Sequence, residues 1–251
     1  MSGKEKILKI ESIKISCQGC SLADLCMPHG LHTDEVSQLD KIIKRLQPYQ
    51  PGQHLFHAGD KSNSIFAVRS GALKTYCITP DGDEQVLGFA LPGELVGLDG
   101  LAGNSYSSTT VALETSSICE LPFNRLEDLC HTLPSLQRQM LRLVGKEITS
   151  DHQLLLLLGQ RNAEERLASF LLSLSIRYKE RGLSAKEFNL PMSRQDIGNY
   201  LGLAIETVSR LFAHFQEDKL LTVNRKQIRI IDYTKLKQLV DGSAGHISES
   251  A

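Results

Sequence analysis

Hydrophobic and polar positions follow three rhythms along this chain, and each predicts a different kind of element. Residues 1–30 show little periodicity and close on the breaker run Met27-Pro28-His29-Gly30. From Thr33 the period is helical. Thr33 is the expected N-cap, Asp34 and Glu35 fall in the first turn, and Val36, Leu39, Ile42 and Ile43 recur at helical spacing. That helix is expected to end before Pro48 and Pro51. Residues 52–122 change rhythm: short apolar runs such as Ile65-Phe66-Ala67-Val68 and Ala72 to Ile78 alternate with Gly-centred turns. Such regular spacing predicts an all-β barrel or sandwich. Pro80-Asp81-Gly82-Asp83 is the clearest hairpin turn within it.

The helical period returns near Arg125, and Pro134 opens a long helix expected to reach about Leu158. Within it Leu141, Val144, Ile148, Asp151, Leu155 and Leu158 recur at alternating steps of three and four. That is a heptad seam, the pattern of a two-stranded coiled coil, and it predicts a dimer. A helix packed on its own domain is the alternative. Asp151 would face its own copy in a symmetric dimer, and the two like charges would repel. A weak, adjustable dimer is expected.

Another helix runs from Arg161 to Arg181, before Gly182. Ser193-Arg194-Gln195-Asp196 then has the form of a capping box. Ile197, Tyr200 and Leu201 give one short helix its apolar face. Gly202 supplies a turn, and a second helix from about Ala204 buries Val208, Leu211, Phe212 and Phe215. Two short helices joined by a Gly turn predict a helix-turn-helix. Glu206, Ser209 and Arg210 share the outward face of the second helix. Arg can read guanine O6 and N7, Glu can accept from cytosine N4, and Ser can serve either. A solvated Glu206–Arg210 i,i+4 pair is the plainer alternative. Leu221 to Ile230 alternates and turns at Asn224-Arg225, which predicts a β-hairpin wing. Arg225 and Lys226 at its tip are placed to touch phosphates. Residues after Gly242 are expected to form a disordered tail.

Net charge is −1, but it is uneven. Residues 1–160 hold 14 Lys and Arg against 18 Asp and Glu, and residues 161–239 hold 14 against 9. A basic unit beside an acidic one fits nucleic-acid binding by the second half. No apolar run approaches a membrane span, and the first residues carry no secretory pattern, so a cytoplasmic protein is expected. The chain has no P-loop, G-x-S-x-G or H-E-x-x-H motif, so no enzymatic function is expected.

Half of the six cysteines fall within ten residues, Cys17, Cys20 and Cys26, spaced C-x2-C-x5-C. In a reducing cytosol a close cluster of this kind points to metal or redox chemistry rather than disulfides. Thiolates are soft ligands that suit zinc, copper(I) or iron–sulfur clusters. Three are one short of a closed site. Cys77 and Cys130 are expected to be small buried hydrophobes.

The order of cysteine segment, β-unit, long helix and winged helix-turn-helix resembles the cyclic-AMP receptor protein superfamily, and within it the fumarate-and-nitrate-reductase (FNR/ANR) regulators. The most specific parts are the cysteine spacing, Leu113 to Glu120 around Cys119, Asn162 to Ala168, and Asp196 to Leu203 continuing to Glu206-Thr207-Val208-Ser209-Arg210. The resemblance implies an α+β chain with five parts: a ligand segment (1–30), a β-roll of cyclic-nucleotide-binding type (31–133), a dimerisation helix (134–160), a winged helix-turn-helix (161–240) and a tail (241–251). It implies that Cys119 joins Cys17, Cys20 and Cys26 to hold one [4Fe–4S] cluster per subunit, and that oxygen converts the cluster, loosens the homodimer and abolishes DNA binding. It implies recognition of a TTGAT-N4-ATCAA palindrome, with Thr207 beside the readers, and recruitment of RNA polymerase, with the loop Thr79 to Asp83 as a contact. The regulated genes would serve anaerobic respiration. Redox sensing through thiols or zinc without iron is the alternative. In nucleotide-binding members an Arg-Ser or Arg-Thr pair grips the cyclic phosphate and a Glu holds the ribose. Here Ser107-Ser108 and Leu98 stand at those places, so no cyclic nucleotide is expected. Leu22 and Leu25 would form an apolar cover beside the cysteines or ordinary packing.

Overall fold

A computed structural model describes residues 16–241. Residues 1–15 and 242–251 lie outside the described residues, and with them most of the expected tail. Asp241 itself ends a helix.

Helix α1 (Thr33–Ile42) is capped by His32, not Thr33. His32 has the extended backbone of a cap, and its N–H donates to Glu35 Oε2 at 2.8 Å. The helix stops well short of Pro48, because Ile43 is extended and Lys44–Arg45 enter a sheet as β1. β2 (His54–Phe56), β3 (Ser64–Ser70), β4 (Leu73–Ile78), β5 (Glu84–Ala90), β6 (Leu95–Val96), β7 (Thr109–Ala112) and β8 (Ser117–Pro122) follow. They make two antiparallel sheets, ordered β1-β8-β3-β6 and β2-β7-β4-β5. Phe56, Phe66, Val68, Leu73, Val96 and Ile118 fill the space between them. β3 is apolar on successive residues because both of its faces are covered: Ile65 and Ala67 point the other way, toward helices.

Those helices are α1, α2 (Phe123–Thr132) and the start of α3 (Pro134–Gln160). Leu39, Leu121, Leu126, Leu133 and Leu136 join Met27 in this second core. Pro134 is the first residue of α3, where its missing N–H costs nothing. The 27 residues of α3 span about 40 Å. Met140 and Leu143 still pack against this second core, while Leu141, Ile148 and Leu155 are 66%, 50% and 67% exposed.

The C-terminal unit comprises α4 (Ala163–Glu180), β9 (Glu187–Asn189), α5 (Arg194–Leu201), α6 (Ile205–Glu217), β10 (Leu221–Asn224), β11 (Gln227–Ile230) and α7 (Tyr233–Asp241). Neither β9 nor α7 is among the elements that the sequence pattern predicts. The capping box at Ser193 is formed, with Asp196 N–H donating to the Ser193 hydroxyl at 3.1 Å. Gly202 has φ +62°, the left-handed turn that lets α6 follow α5. Val208, Phe212 and Phe215 are buried as the pattern requires.

This unit is docked on the roll of its own chain. Val86, Phe89 and Leu91 from the roll share one core with Leu167, Phe170 and Leu171 of α4. Polar groups fix the docking. Lys74 Nζ bridges Glu84 (2.7 Å) and Asp196 (2.9 Å). The Val86 N–H donates to Asn199 Oδ1, and the Asn199 amide donates to the Glu84 carbonyl. Glu94 takes Arg177 and Arg181 together. No helix among the described residues is long and apolar enough to cross a membrane.

Candidate cysteine site and nucleic-acid interface

Cys17 and Cys20 flank a short 3-10 turn, and Cys26 follows a second one, Ala23–Leu25. Cys119 lies in β8, opposite Arg45 of β1 and Ala67 of β3. The two segments meet. A negative charge on Cys119 or Cys26 acts on Cys17, one on Cys119 or Cys20 acts on Cys26, and one on Cys20 acts on Cys119.

Asp40 of α1 braces this neighbourhood. Its Oδ1 accepts from the Cys17 N–H at 2.8 Å and from Arg45 Nη2 at 2.5 Å. Burial pushes the Cys17 thiol up to about 12, reinforced by its hydrogen bond to Asp40 and by the charges of Asp40, Cys119 and Cys26. Burial also pushes Cys26 up to about 12 against the opposing Met27 N–H. Cys119 is raised by burial, with Arg45 and Arg69 opposing. As free thiols these groups keep their protons; a soft cation is what would replace them.

The long helix holds the segment from the other side. Gln139 of α3 is 5% exposed and donates to the Cys26 carbonyl at 2.9 Å, while its own Oε1 accepts from Arg142 at 2.8 Å. Neither Asp40, Arg45 nor Gln139 is marked by any motif, because their role depends on contacts distant in sequence. Leu22 and Leu25 are half-buried. Cys77 and Cys130 are half-buried too, rather than the core residues expected. Cys130 packs at the edge of the helix-covered core, and Cys77 lies in the half-exposed strand β4.

In the C-terminal unit Glu206, Ser209 and Arg210 are exposed on α6, and Thr207 is half-buried. Arg225 and Lys226 are exposed at the tip between β10 and β11, and Arg225 takes φ +57° to make that turn. Arg194 lies over the Phe212 ring at 3.4 Å, so it braces α5 against α6. Arg166 joins the end of the long helix to this unit. Its guanidinium donates to the carbonyls of Leu158 (2.7 Å), Arg161 (2.9 Å) and Leu201 (3.0 Å). Along α3, Leu141, Ile148, Asp151 and Leu155 are exposed, and Val144 and Leu158 half-buried.

A family model described as a cyclic nucleotide-binding domain matches residues 46–132, and a Crp-like helix-turn-helix domain matches residues 165–239. The transcriptional activator protein anr of Pseudomonas aeruginosa is 50% identical over 226 residues, covering 90% of this chain and 93% of that one. The chain belongs to the FNR/ANR family of transcription regulators. Another FNR-family relative, the fumarate and nitrate reduction regulatory protein of Escherichia coli (strain K12), is 49% identical over 245 residues, 97% of this chain and 96% of that one. The solved structure of FixK2 from Bradyrhizobium japonicum covers 79% of this chain and 97% of its own, with TM-score 0.73 and 29% identity. This FNR-family chain is therefore a regulator with a DNA-binding fold and not an enzyme.

An FNR-type regulator implies an iron–sulfur cluster, and the donor set fits one. Four thiols of one soft kind come from two segments: Cys26 and Cys119 pack against one core, and Asp40 bonds both the Cys17 N–H and Arg45, which pairs with Cys119. As placed, no three Cys, His, Asp or Glu side chains among the described residues converge tightly enough to hold a metal ion. Ligation therefore requires the four thiols to draw closer together than they stand here.

Proposed function

We propose that this FNR-family chain is an oxygen-responsive transcription regulator whose Cys17, Cys20, Cys26 and Cys119 hold a [4Fe–4S] cluster. The observation that carries the reading is that Asp40 bonds both the Cys17 N–H and Arg45, the strand partner of Cys119, while Cys26 and Cys119 pack against one core. The cluster would supply a covalent tie among four thiolates that oxygen can undo.

The chain's own residues then do the rest. Gln139 links the backbone at Cys26 to α3, so the ordering of the cysteine loop bears on the helix that carries the seam. Leu141, Val144, Ile148, Leu155 and Leu158 join two copies, while Asp151 sets a limit on that affinity. Arg166 connects the far end of the seam to α5. The dimer presents two copies of α6 to half-sites one helical turn apart, in a palindrome of TTGAT-N4-ATCAA type. Glu206, Ser209 and Arg210 read base edges, with Thr207 beside them, and Arg225 and Lys226 contact phosphates. RNA polymerase is the proposed further partner, in the cytoplasm, and genes of anaerobic respiration are the proposed targets. The proposed parts are the ligand segment 1–30, the roll 31–133, the helix 134–160, the unit 161–240 and the tail 241–251.

Substitution tests the ligand set. In protein purified without oxygen, Cys119→Ser should lose the bound iron and the visible absorption that the native chain carries, while Cys77→Ser keeps both. Equal iron in native and Cys119→Ser protein would remove Cys119 from the site.

A further inference from the structure

After the 3-10 turn Leu98–Ala102 the chain returns through Tyr106 into β7. There, Asp99 Oδ2 accepts four hydrogen bonds. The N–H groups of Ser107 and Ser108 donate at 2.9 and 3.0 Å, and their hydroxyls at 2.9 and 2.9 Å. Two adjacent residues thus direct every polar donor they have at one oxygen. Successive backbone N–H groups with two hydroxyls form the kind of donor set that binds a carboxylate or phosphate oxygen. Ser108 is 3% exposed, so its hydroxyl has little access to water as a substitute partner.

The position of this cradle matters. It lies inside residues 46–132, the part of the chain that matches the cyclic nucleotide-binding family model. Ser107 and Ser108 supply its four donors. Here both residues are neutral, and the anion they hold belongs to the chain.

We propose that the Asp99 carboxylate is a tethered anion that permanently fills the oxyanion site of the roll. A free phosphate or carboxylate then meets occupied donors and a like charge. Contacts other than those of Asp99 also hold the surrounding loop. Ser62 Oγ lies 3.0 Å from the carbonyl oxygens of both Gly100 and Gly103 and shares its one proton between them, and Tyr106 Oη donates to the Ser64 carbonyl at 2.6 Å. Gly100 is packed so closely that an added Cβ would lie 2.8 Å from both Ser62 and Tyr106. Cutting Asp99 back to alanine should therefore leave four donors facing a space of carboxylate size. Such a site would take a small oxyanion, a carboxylate or a phosphate. This inference is independent of the cluster.

The test is thermal unfolding of the full chain, native and Asp99→Ala, in sodium formate, sodium phosphate or sodium chloride at equal ionic strength. In chloride the variant should melt about 5 °C below the native chain. Formate, phosphate or both should restore more than half of that loss beyond the general salt shift that the native chain shows in the same solution. Rescue by formate alone gives a carboxylate-sized site, and rescue by phosphate as well gives a larger one. No loss of stability in Asp99→Ala, or an equal response of both proteins to the anions, overturns the proposal. Should Asp99→Ala fold only in the presence of formate or phosphate, that dependence is itself the rescue; failure to fold in any of the three salts overturns it. Asp99→Asn supplies a second check, because its amide oxygen still fills the cradle without the charge. It should melt between the other two and gain nothing from formate beyond that general shift. An asparagine variant as stable as the native chain overturns the role of the charge.

Discussion

Gly93 lies directly against Leu25: a Cβ on Gly93 would stand 2.9 Å from the Cβ of Leu25 and 3.8 Å from that of Leu22. Both leucines sit between Cys20 and Cys26. The residue after Gly93 is Glu94, which holds Arg177 and Arg181 of α4. Consecutive residues of one turn therefore touch the cysteine segment and the DNA-binding unit. Gly93 has φ +92°, and this close contact leaves no room for a side chain. We expect Gly93→Ala to displace the loop and speed amide hydrogen exchange across residues 20–26, with α7 unaffected. Unchanged exchange in that loop would show that the contact holds nothing in place.

Glu94 ties the two units together by charge. Arg177 Nη2 and Arg181 Nη2 approach its carboxylate at 2.5 and 2.7 Å, and the Leu91 N–H donates at 2.9 Å. Burial alone would raise this carboxyl, but Arg177, Arg181 and the Leu91 N–H outweigh it and hold it below the usual carboxylate range. The sign follows. A depressed carboxyl contributes stability that is complete above its unfolded value, about 4.3, and is lost as pH falls through the lower folded one. Glu94→Gln should cost about 2 kcal/mol at neutral pH, allowing for partial exposure, and should flatten the acid limb of stability against pH. Urea unfolding from neutral to acid pH measures this. Parallel curves for the two proteins would contradict it.

Much of this architecture is legible in the sequence, and the reason is physical. The roll and the winged helix-turn-helix each bury a face with its own period, and the long helix carries its period on a seam left largely exposed. Ser193, Gly202 and Pro134 also mark their ends by local chemistry. The parts that escaped are those set by distant contacts. β1 is two residues long and exists because Lys44 and Arg45 pair with Glu120 and Cys119. Thr33 reads as a cap, but the neighbouring His32 takes the extended backbone instead. Asp40, Arg45 and Gln139 act on the cysteine segment from other elements, and no spacing announces them. The Glu94 clasp and the Asp99 cradle are invisible for the same reason.

The seam on α3 makes its own test. Asp151 is exposed among apolar side chains that single-chain packing leaves uncovered, Ile148 at 50% and Leu155 at 67%. Two aspartates facing each other in a partly dry interface repel. Asp151→Ala should tighten the dimer in sedimentation velocity without changing secondary structure. An unchanged dimer constant would place the interface elsewhere.

On α6, Arg210 is exposed one turn beyond Glu206 and has no ion-pair partner among the described residues. A bidentate contact to guanine is specific, whereas a phosphate contact is not. Arg210→Ala should lose roughly 1–3 kcal/mol of discrimination at one half-site base pair. Titrations against the palindrome and a single-base variant measure this. Equal weakening on both duplexes would make Arg210 a phosphate contact.

The most direct measurement is iron and acid-labile sulfide per chain in protein purified without oxygen, paired with binding to a TTGAT-N4-ATCAA duplex before and after exposure to air. We expect about four iron and four sulfide per chain, and binding that is lost in air. Protein that carries no iron, or only zinc, and binds the duplex equally well before and after air would contradict the cluster at Cys17, Cys20, Cys26 and Cys119.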